Sequence, residues 1–166
     1  MARLFIAVRP DDETRRVLDQ TLGVPRPADD GVRWVPPDQW HVTLRFWPDA
    51  DPAPIIDALH AVQFPSVSVL LGPVISRLGR NAVVVPAGGA EPLAERVASA
   101  IGVSDPRPFN GHLTVARLRH RAACGIAGGR LSSTFTVSEV ELVHSELSSS
   151  GASHTTLARW STVSGS

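Results

Sequence analysis

The chain contains no lysine: all sixteen basic residues are arginine, and sixteen acidic residues balance them to a net charge of zero. Schiff-base and P-loop lysine chemistry are thereby excluded, and any phosphate must be held by arginine, histidine, hydroxyls or backbone amides. Zero net charge argues against a general nucleic-acid coating protein, although it is compatible with a local basic cleft. The single cysteine, Cys124, allows neither an internal disulfide nor zinc-ribbon spacing. It lies among Ala122, Ala123, Gly125 and Ile126 and reads as a small apolar filler. Long apolar runs are missing as well. Residues 4–8 are apolar, but Pro10-Asp11-Asp12-Glu13 follows almost at once. That run is too short for a signal peptide or a membrane span, so a cytoplasmic protein without membrane contact is expected. With no long apolar face demanding a partner, a monomer is expected too.

What is present is enough for one domain of 166 residues with a real core, built as two layers. Residues 3–8 read as a strand buried on both faces. Asp11 or Asp12 caps a helix carrying Val17, Leu18 and Leu22 that ends near Gly23, followed by a Pro/Asp-rich loop over 24–30. A short strand over 32–35 and a turn at Pro36-Pro37 precede a strand over 41–46. Asp51-Pro52 opens a second helix with Ile55, Ile56, Leu59 and Val62 at helical spacing. Strands are expected over 67–71 and 82–85, a helix over 91–101 closed by Gly102, and strands over 112–118 and 155–160. Phe135 and Val137 share one parity while Val140 and Leu142 share the other, which suggests a bulge in one long strand. Strands mixed with three helices, without regular βα alternation, favour an α+β fold with largely antiparallel sheets.

Two of these strands carry the same words. His41-Val42-Thr43-Leu44 and His112-Leu113-Thr114-Val115 both read His-apolar-Thr-apolar. A strand alternates its side chains between two faces, so each His shares a face with its Thr while the apolar residues take the other. Three His-x-Thr triplets occur where composition alone gives fewer than one. The third, His154-Thr155-Thr156, lacks the apolar middle residue and reads as a surface strand. Two matched strands, each offering an imidazole beside a hydroxyl, suggest two similar halves around one cleft.

Paired imidazoles suit phosphodiester chemistry. Histidine's ordinary pKa near 6.5 lets a neutral ring accept a proton while a charged one donates, each transfer being worth ~10²–10⁴-fold. Threonine hydroxyls can donate to the non-bridging oxygens as charge builds on phosphorus. A strained cyclic phosphate needs no metal for this, provided the groups are aligned.

The segments Val32-Arg33-Trp34-Val35-Pro36-Pro37, His41 to Phe46, Arg107-Pro108-Phe109 and His112 to Arg117 resemble the RNA 2′,3′-cyclic phosphodiesterase family. Its members are often called 2′-5′ RNA ligases and belong to the 2H phosphoesterase superfamily. The opening residues 3–8 and the tail (140–147, Gly151-Ala152, Leu157 to Trp160) extend the likeness over nearly the whole chain. The resemblance implies a two-lobed, pseudo-symmetric α+β fold, a single domain over 1–166 whose termini share one lobe, with a motif strand from each lobe lining a central groove. It implies His41 and His112 as the catalytic pair, Thr43 and Thr114 as phosphate-orienting donors, and Arg117 as a further phosphate ligand. Strict alternation puts Arg117 on the face opposite His112, so a bulge or a long reach is needed there. The implied reaction is hydrolysis of an RNA 2′,3′-cyclic phosphate end, or of a related small cyclic nucleotide, to a 2′-phosphate. By that analogy His112 activates water and His41 protonates the departing 3′-oxygen, and the reverse reaction forms a 2′-5′ linkage. No cofactor and no metal is implied. The chain departs from the family's pattern at Gly111, where Pro is common, at Trp47-Pro48-Asp49, where Leu-Gly-Glu is usual, and at His154, where Tyr is frequent.

Among the flanking residues, Phe46 and Trp34 are the candidates for contact with a nucleobase, ahead of Trp47 and Phe109. Arg45 shares strand parity with His41 and Thr43, and the basic run from Arg117 to Arg121 is either an RNA guide or a solvated strand end. His60 and His144 read as structural. Two alternatives stay open: a non-catalytic RNA-end binding module, and a metal-dependent phosphodiesterase. Against the first, both His and both Thr are intact; against the second, no HExxH or CxxC spacing occurs.

Overall fold

The computed structural model describes residues 1–23, 31–102, 108–119 and 122–164. The loop expected over 24–30, Arg107, and His120-Arg121 of the basic run lie outside them. In chain order the described elements are β1 (Ala2–Val8), α1 (Asp12–Leu22), β2 (Val32–Trp34), a 3-10 turn (Pro37–Gln39), β3 (Val42–Ala50), α2 (Pro52–His60), β4 (Ser68–Leu71), β5 (Ser76–Leu78), β6 (Ala82–Gly88), α3 (Glu91–Ile101), β7 (His112–Leu118), β8 (Ser133–Thr136), β9 (Glu139–Ser148) and β10 (Gly151–Ser161). This is an α+β fold with a curled antiparallel sheet, as expected.

The helices begin and end where local chemistry dictates. Asp11 caps α1 by accepting from the Thr14 amide at 2.8 Å, and Asp12 and Glu13 complement the helix dipole in its first turn. Asp51 caps α2 through the Ala53 amide at 3.1 Å, with Pro52 at the first helical position. Gly102, at φ 74°, closes α3 by donating to the Ala98 carbonyl. Leu18 and Leu22, Ile55 and Leu59, and Leu93 and Val97 are the buried stripes that fix these helices to the sheet.

Strand order is β10-β9-β1-β3-β7-β6-β4-β8, with β2 beside β7 and β5 beside β6, and every named pair is antiparallel. The sheet is thus two halves, the four strands β10-β9-β1-β3 and the six formed by β7-β6-β4-β8 with β2 and β5, that meet where β3 touches β7. Both chain ends contribute to one half, because β1 lies between β9 and β3 and β10 borders β9. β1 is buried on both faces: Leu4, Ile6 and Val8 enter the main core, and Phe5 and Ala7 form a smaller cluster with Val143 on the other side.

Three expectations need correcting. The change of parity between Val137 and Val140 is no bulge. The chain leaves β8, paired to β4 at one edge, and begins β9, paired to β1 and β10 in the other half. β3 runs on through Pro48 to Ala50; beyond Val42 it is paired only to β1, and a proline can sit where no partner needs its missing N–H. β10 starts at Gly151, in a two-residue hairpin turn from Ser148, rather than at Thr155.

Candidate active site

The two halves of the sheet meet at one residue pair, Val42 opposite Leu113. Both are fully buried, so their side chains point into the core. Continuing that antiparallel register by one residue sets His41 opposite Thr114 and Thr43 opposite His112, all four on the face away from the core. Diagonal neighbours in such a ladder stand roughly 7–8 Å apart, a span that one phosphate group can bridge. All four side chains line a single groove of about 1350 Å³.

The histidines are held alike. His41 Nδ1 lies 2.7 Å from the Gln39 carbonyl oxygen and His112 Nδ1 lies 2.8 Å from that of Asn110, in each case the residue two positions earlier. A carbonyl only accepts, so each Nδ1 must carry the proton and each Nε2 is left for other work. At His41, Nε2 sits 3.0 Å from the Thr43 hydroxyl, which donates to the neutral ring. Gly111 allows the close packing at the start of β7. Its carbonyl accepts from the Ala87 amide at 2.9 Å, and a Cβ there would stand 2.2 Å from the Ala87 oxygen.

Both motif strands bulge one residue after the threonine. Ile6 pairs with Arg45 but Ala7 pairs with Thr43, which leaves Leu44 as the extra residue. Val83 pairs with Ala116 but Val84 pairs with Thr114, which leaves Val115 as the extra one. The second bulge resolves the difficulty of Arg117: it resets the alternation and returns Arg117 to the side of His112 and Thr114, where it lines the groove. The first does the same for Phe46, five residues after His41 as Arg117 is five after His112. Phe46 is 42% exposed, lies in the groove, and carries the Arg3 guanidinium 4.6 Å above its ring. Arg45 accordingly loses its parity with His41 and stacks on Trp47 at 5.4 Å, bordering the groove. Trp34 also borders the groove, although it pairs with Ala116 and packs partly against the core.

His41 is pushed down to about 4, first by burial and then by the positive fields of His154, Arg9 and Arg117, while the Gln39 carbonyl works in the opposite direction. Its ring stacks on Phe5 at 4.5 Å and 16°, and His154 meets it edge-on at 5.7 Å and 76°. Sequence reasoning gave no site role to His154, Phe5 or Gln39. Gln39 also donates from its side chain to the Ala152 carbonyl at 2.7 Å, tying the His41 turn to β10. The repeat of a third His-x-Thr at 154–156 was the available signal. Arg3 and Arg33 are further groove cations, Arg33 pairing with Arg117 across β2 and β7.

Other candidates fall elsewhere. His60 packs edge-on against Trp160, and His144 lies 3.8 Å from Glu146. Phe109 lines the groove and packs partly on the core, and Cys124 is buried as a filler. Among the described residues no group of three or more His, Cys, Asp or Glu gathers as metal ligands, and no helix is long and apolar enough to cross a membrane.

Residues 8–72 match the family model described as LigT like phosphoesterase. Among solved structures, the chain is similar to TT0787 of Thermus thermophilus, with a TM-score of 0.78 and 25% identity over 96% of this chain and 97% of that one. It is similar to E. coli LigT complexed with 3′-AMP, with a TM-score of 0.76 and 22% identity over 97% and 98%. The NADP+ complex of E. coli LigT gives a TM-score of 0.78 and 24% identity over 97% and 98%. Compared with curated protein sequences, the chain has no significant match.

Proposed function

We propose that the chain is a LigT-like phosphoesterase, the family whose model matches residues 8–72, and that it hydrolyses RNA 2′,3′-cyclic phosphate ends to 2′-phosphates. The observation that carries this reading is the duplicated His-x-Thr pair, flanking the Val42–Leu113 contact of β3 and β7, with each Nδ1 at the carbonyl two residues earlier and each Nε2 turned from it. A cyclic phosphate seated between the rings is attacked by water. One Nε2 takes the proton of the attacking water, the P–O3′ bond breaks, and the other Nε2 gives its proton to O3′. The Thr43 hydroxyl, turned from His41 Nε2 to the substrate, the Thr114 hydroxyl and the Arg117 guanidinium donate to the non-bridging oxygens as their charge grows. Phe46, on the opposite strand's equivalent position, offers a face for the terminal base.

Nucleotide ligands of E. coli LigT, crystallised with 3′-AMP, NADP+ and ATP, support a nucleotide substrate for this groove. The same groups run backwards by microscopic reversibility and join ends through a 2′-5′ linkage; where water is abundant, hydrolysis dominates.

The test is incubation of the purified protein, in EDTA, with an oligonucleotide ending in a 2′,3′-cyclic phosphate, followed by resolution of the product phosphates. Turnover to the 2′-phosphate is expected. Binding without turnover would make the protein an RNA-end binding module, and activity restored only by Zn²⁺ or Mn²⁺ would make it a metal-dependent phosphodiesterase.

A further inference from the structure

The groove gathers more positive charge than the reacting phosphate calls for. Among the described residues four arginines line it, Arg3, Arg33, Arg45 and Arg117, against two carboxylates, Glu91 and Glu95 of α3, in a chain of zero net charge. Arg33 of β2 and Arg117 of β7 are direct cross-strand partners, so their side chains share a face with Cβ atoms about 4.5–5.5 Å apart. Like charges set opposite one another weaken a sheet. The Arg117 pKa is lowered by burial and then by the field of Arg3, which stands in the other half of the sheet. Arg33 reaches towards that half as well: a Cβ on Gly151, at the head of β10, would stand 3.7 Å from Arg33 Nη1. Elsewhere the fold neutralises its guanidiniums. Arg9 and Arg159 both pair with Glu141, and Arg15 pairs with Asp12. Arg3, Arg33 and Arg117 have no carboxylate partner among the described residues.

A cyclic phosphate end carries a single negative charge, and Arg117 at a non-bridging oxygen matches it. Arg3 and Arg33 exceed that need. We propose that Arg33 and Arg3 form a second phosphate subsite, which holds the phosphate on the 5′-oxygen of the nucleoside that bears the cyclic end. In a strand this group is the last internal phosphodiester, and in a mononucleotide it is a 5′-phosphate. The inference rests on the cyclic phosphodiesterase reading and narrows its substrate: a strand end or a 5′-phosphorylated nucleotide is preferred to a bare nucleoside cyclic phosphate. Arg3 lies against Phe46, the ring proposed for the terminal base, and Arg33 lies beside Arg117, the cation proposed for the reacting phosphate. A nucleotide seated on both therefore has the two remaining guanidiniums next to it. Forked donation to two oxygens of one phosphate suits arginine, and an anion there relieves the repulsion between Arg33 and Arg117.

Three substrates built on one terminal nucleoside test the subsite: the bare 2′,3′-cyclic phosphate, its 5′-phosphorylated form, and the dinucleotide ending in the same cyclic phosphate. From the first to each of the others, kcat/KM of the parent should rise roughly tenfold or more, as for a charge-assisted hydrogen bond. The gain should lie mainly in KM and shrink as salt is raised. Arg3 and Arg33 are exposed, so replacing them leaves the core intact. Arg33→Ala and Arg3→Gln should each remove most of the gain, and Arg33→Lys, which keeps the charge without the fork, should retain part of it. A parent indifferent to the 5′-phosphate, or variants that keep the whole gain, would overturn the subsite. So would a gain confined to the dinucleotide, because the groove would then be reading the extra nucleoside. Calorimetry with the nucleoside 2′-phosphate, with and without a 5′-phosphate, gives a readout independent of turnover. Tighter binding of the 5′-phosphorylated form, lost in Arg33→Ala, in a parent that turns over none of the three substrates would uphold the subsite and refute the phosphodiesterase reading beneath it.

Discussion

A histidine held neutral by its fold must weaken that fold when it is forced to charge, and His41 gives the effect a size. Its folded pKa is about 4, against an ordinary value near 6.5 in an unfolded chain. Between those values the unfolded chain binds the extra proton, so stability rises with pH across the window and is lost as pH falls from 6.5 towards 4. From pH 7 to pH 5 the loss assigned to this one ring is about 2 kcal/mol, and the figure depends little on how far below 5 the folded titration ends. Most carboxylates remain ionised at pH 5, so they contribute little to the difference. The assay is urea unfolding at the two pH values, followed by circular dichroism, on the parent and on His41→Gln. Removing the ring costs packing at both pH values alike, and that cost cancels. His154, whose pKa burial and Arg9 also lower, titrates in both proteins and cancels to first order. The parent should therefore lose about 2 kcal/mol more than the variant on going from pH 7 to pH 5. Equal losses would mean that His41 accepts protons as freely in the fold as outside it, and the neutral resting state argued for it would be wrong.

Two further outcomes follow from the groove's geometry. Arg117→Ala should raise KM more than it lowers kcat, because a guanidinium at a non-bridging oxygen holds bound substrate as well as the transition state; steady-state kinetics with an unchanged KM would remove it from the site. Gly111→Ala should destabilise the protein by about 1–3 kcal/mol in urea unfolding, since its Cβ would sit 2.2 Å from the Ala87 oxygen and force β6 and β7 apart; a variant as stable as the parent would show that the strands can yield there.

The second motif strand and α3 were legible almost to the residue because their signals are local: the strand expected over 112–118 is His112–Leu118, and α3 spans Glu91–Ile101 between its own start and stop signals. What escaped the sequence was set by distant partners. β5 is three residues with a half-buried serine and two exposed side chains, and it exists because β6 lies alongside, from Ser76 opposite Val84 to Leu78 opposite Ala82. The break between β8 and β9 reads as a change of parity in any strand, and only the different neighbours, Val69 for Phe135 and Ile6 for Leu142, show that the chain has changed halves. His154 had a visible motif but sat in a strand without apolar alternation, and its position against His41 depends on β9 lying between β10 and β1.

The two bulges carry the most weight for function, and they leave no mark in composition. Each inserts one residue after the threonine, Leu44 in β3 and Val115 in β7, so the backbones of the two halves deviate from regular pairing at the same place. That shared deviation brings the fifth residue after each histidine into the groove. The side chains delivered there are not alike: one is the aromatic face of Phe46, the other the guanidinium of Arg117. A site symmetric in its imidazoles and hydroxyls thus becomes directional through what lies beyond the bulges. In the proposed reaction Phe46 gives a base its surface on the β3 side and Arg117 gives a phosphate oxygen its cation on the β7 side. The same asymmetry stacks one imidazole on Phe5 and leaves the other without a ring contact among the described residues, so equal strands carry unequal walls.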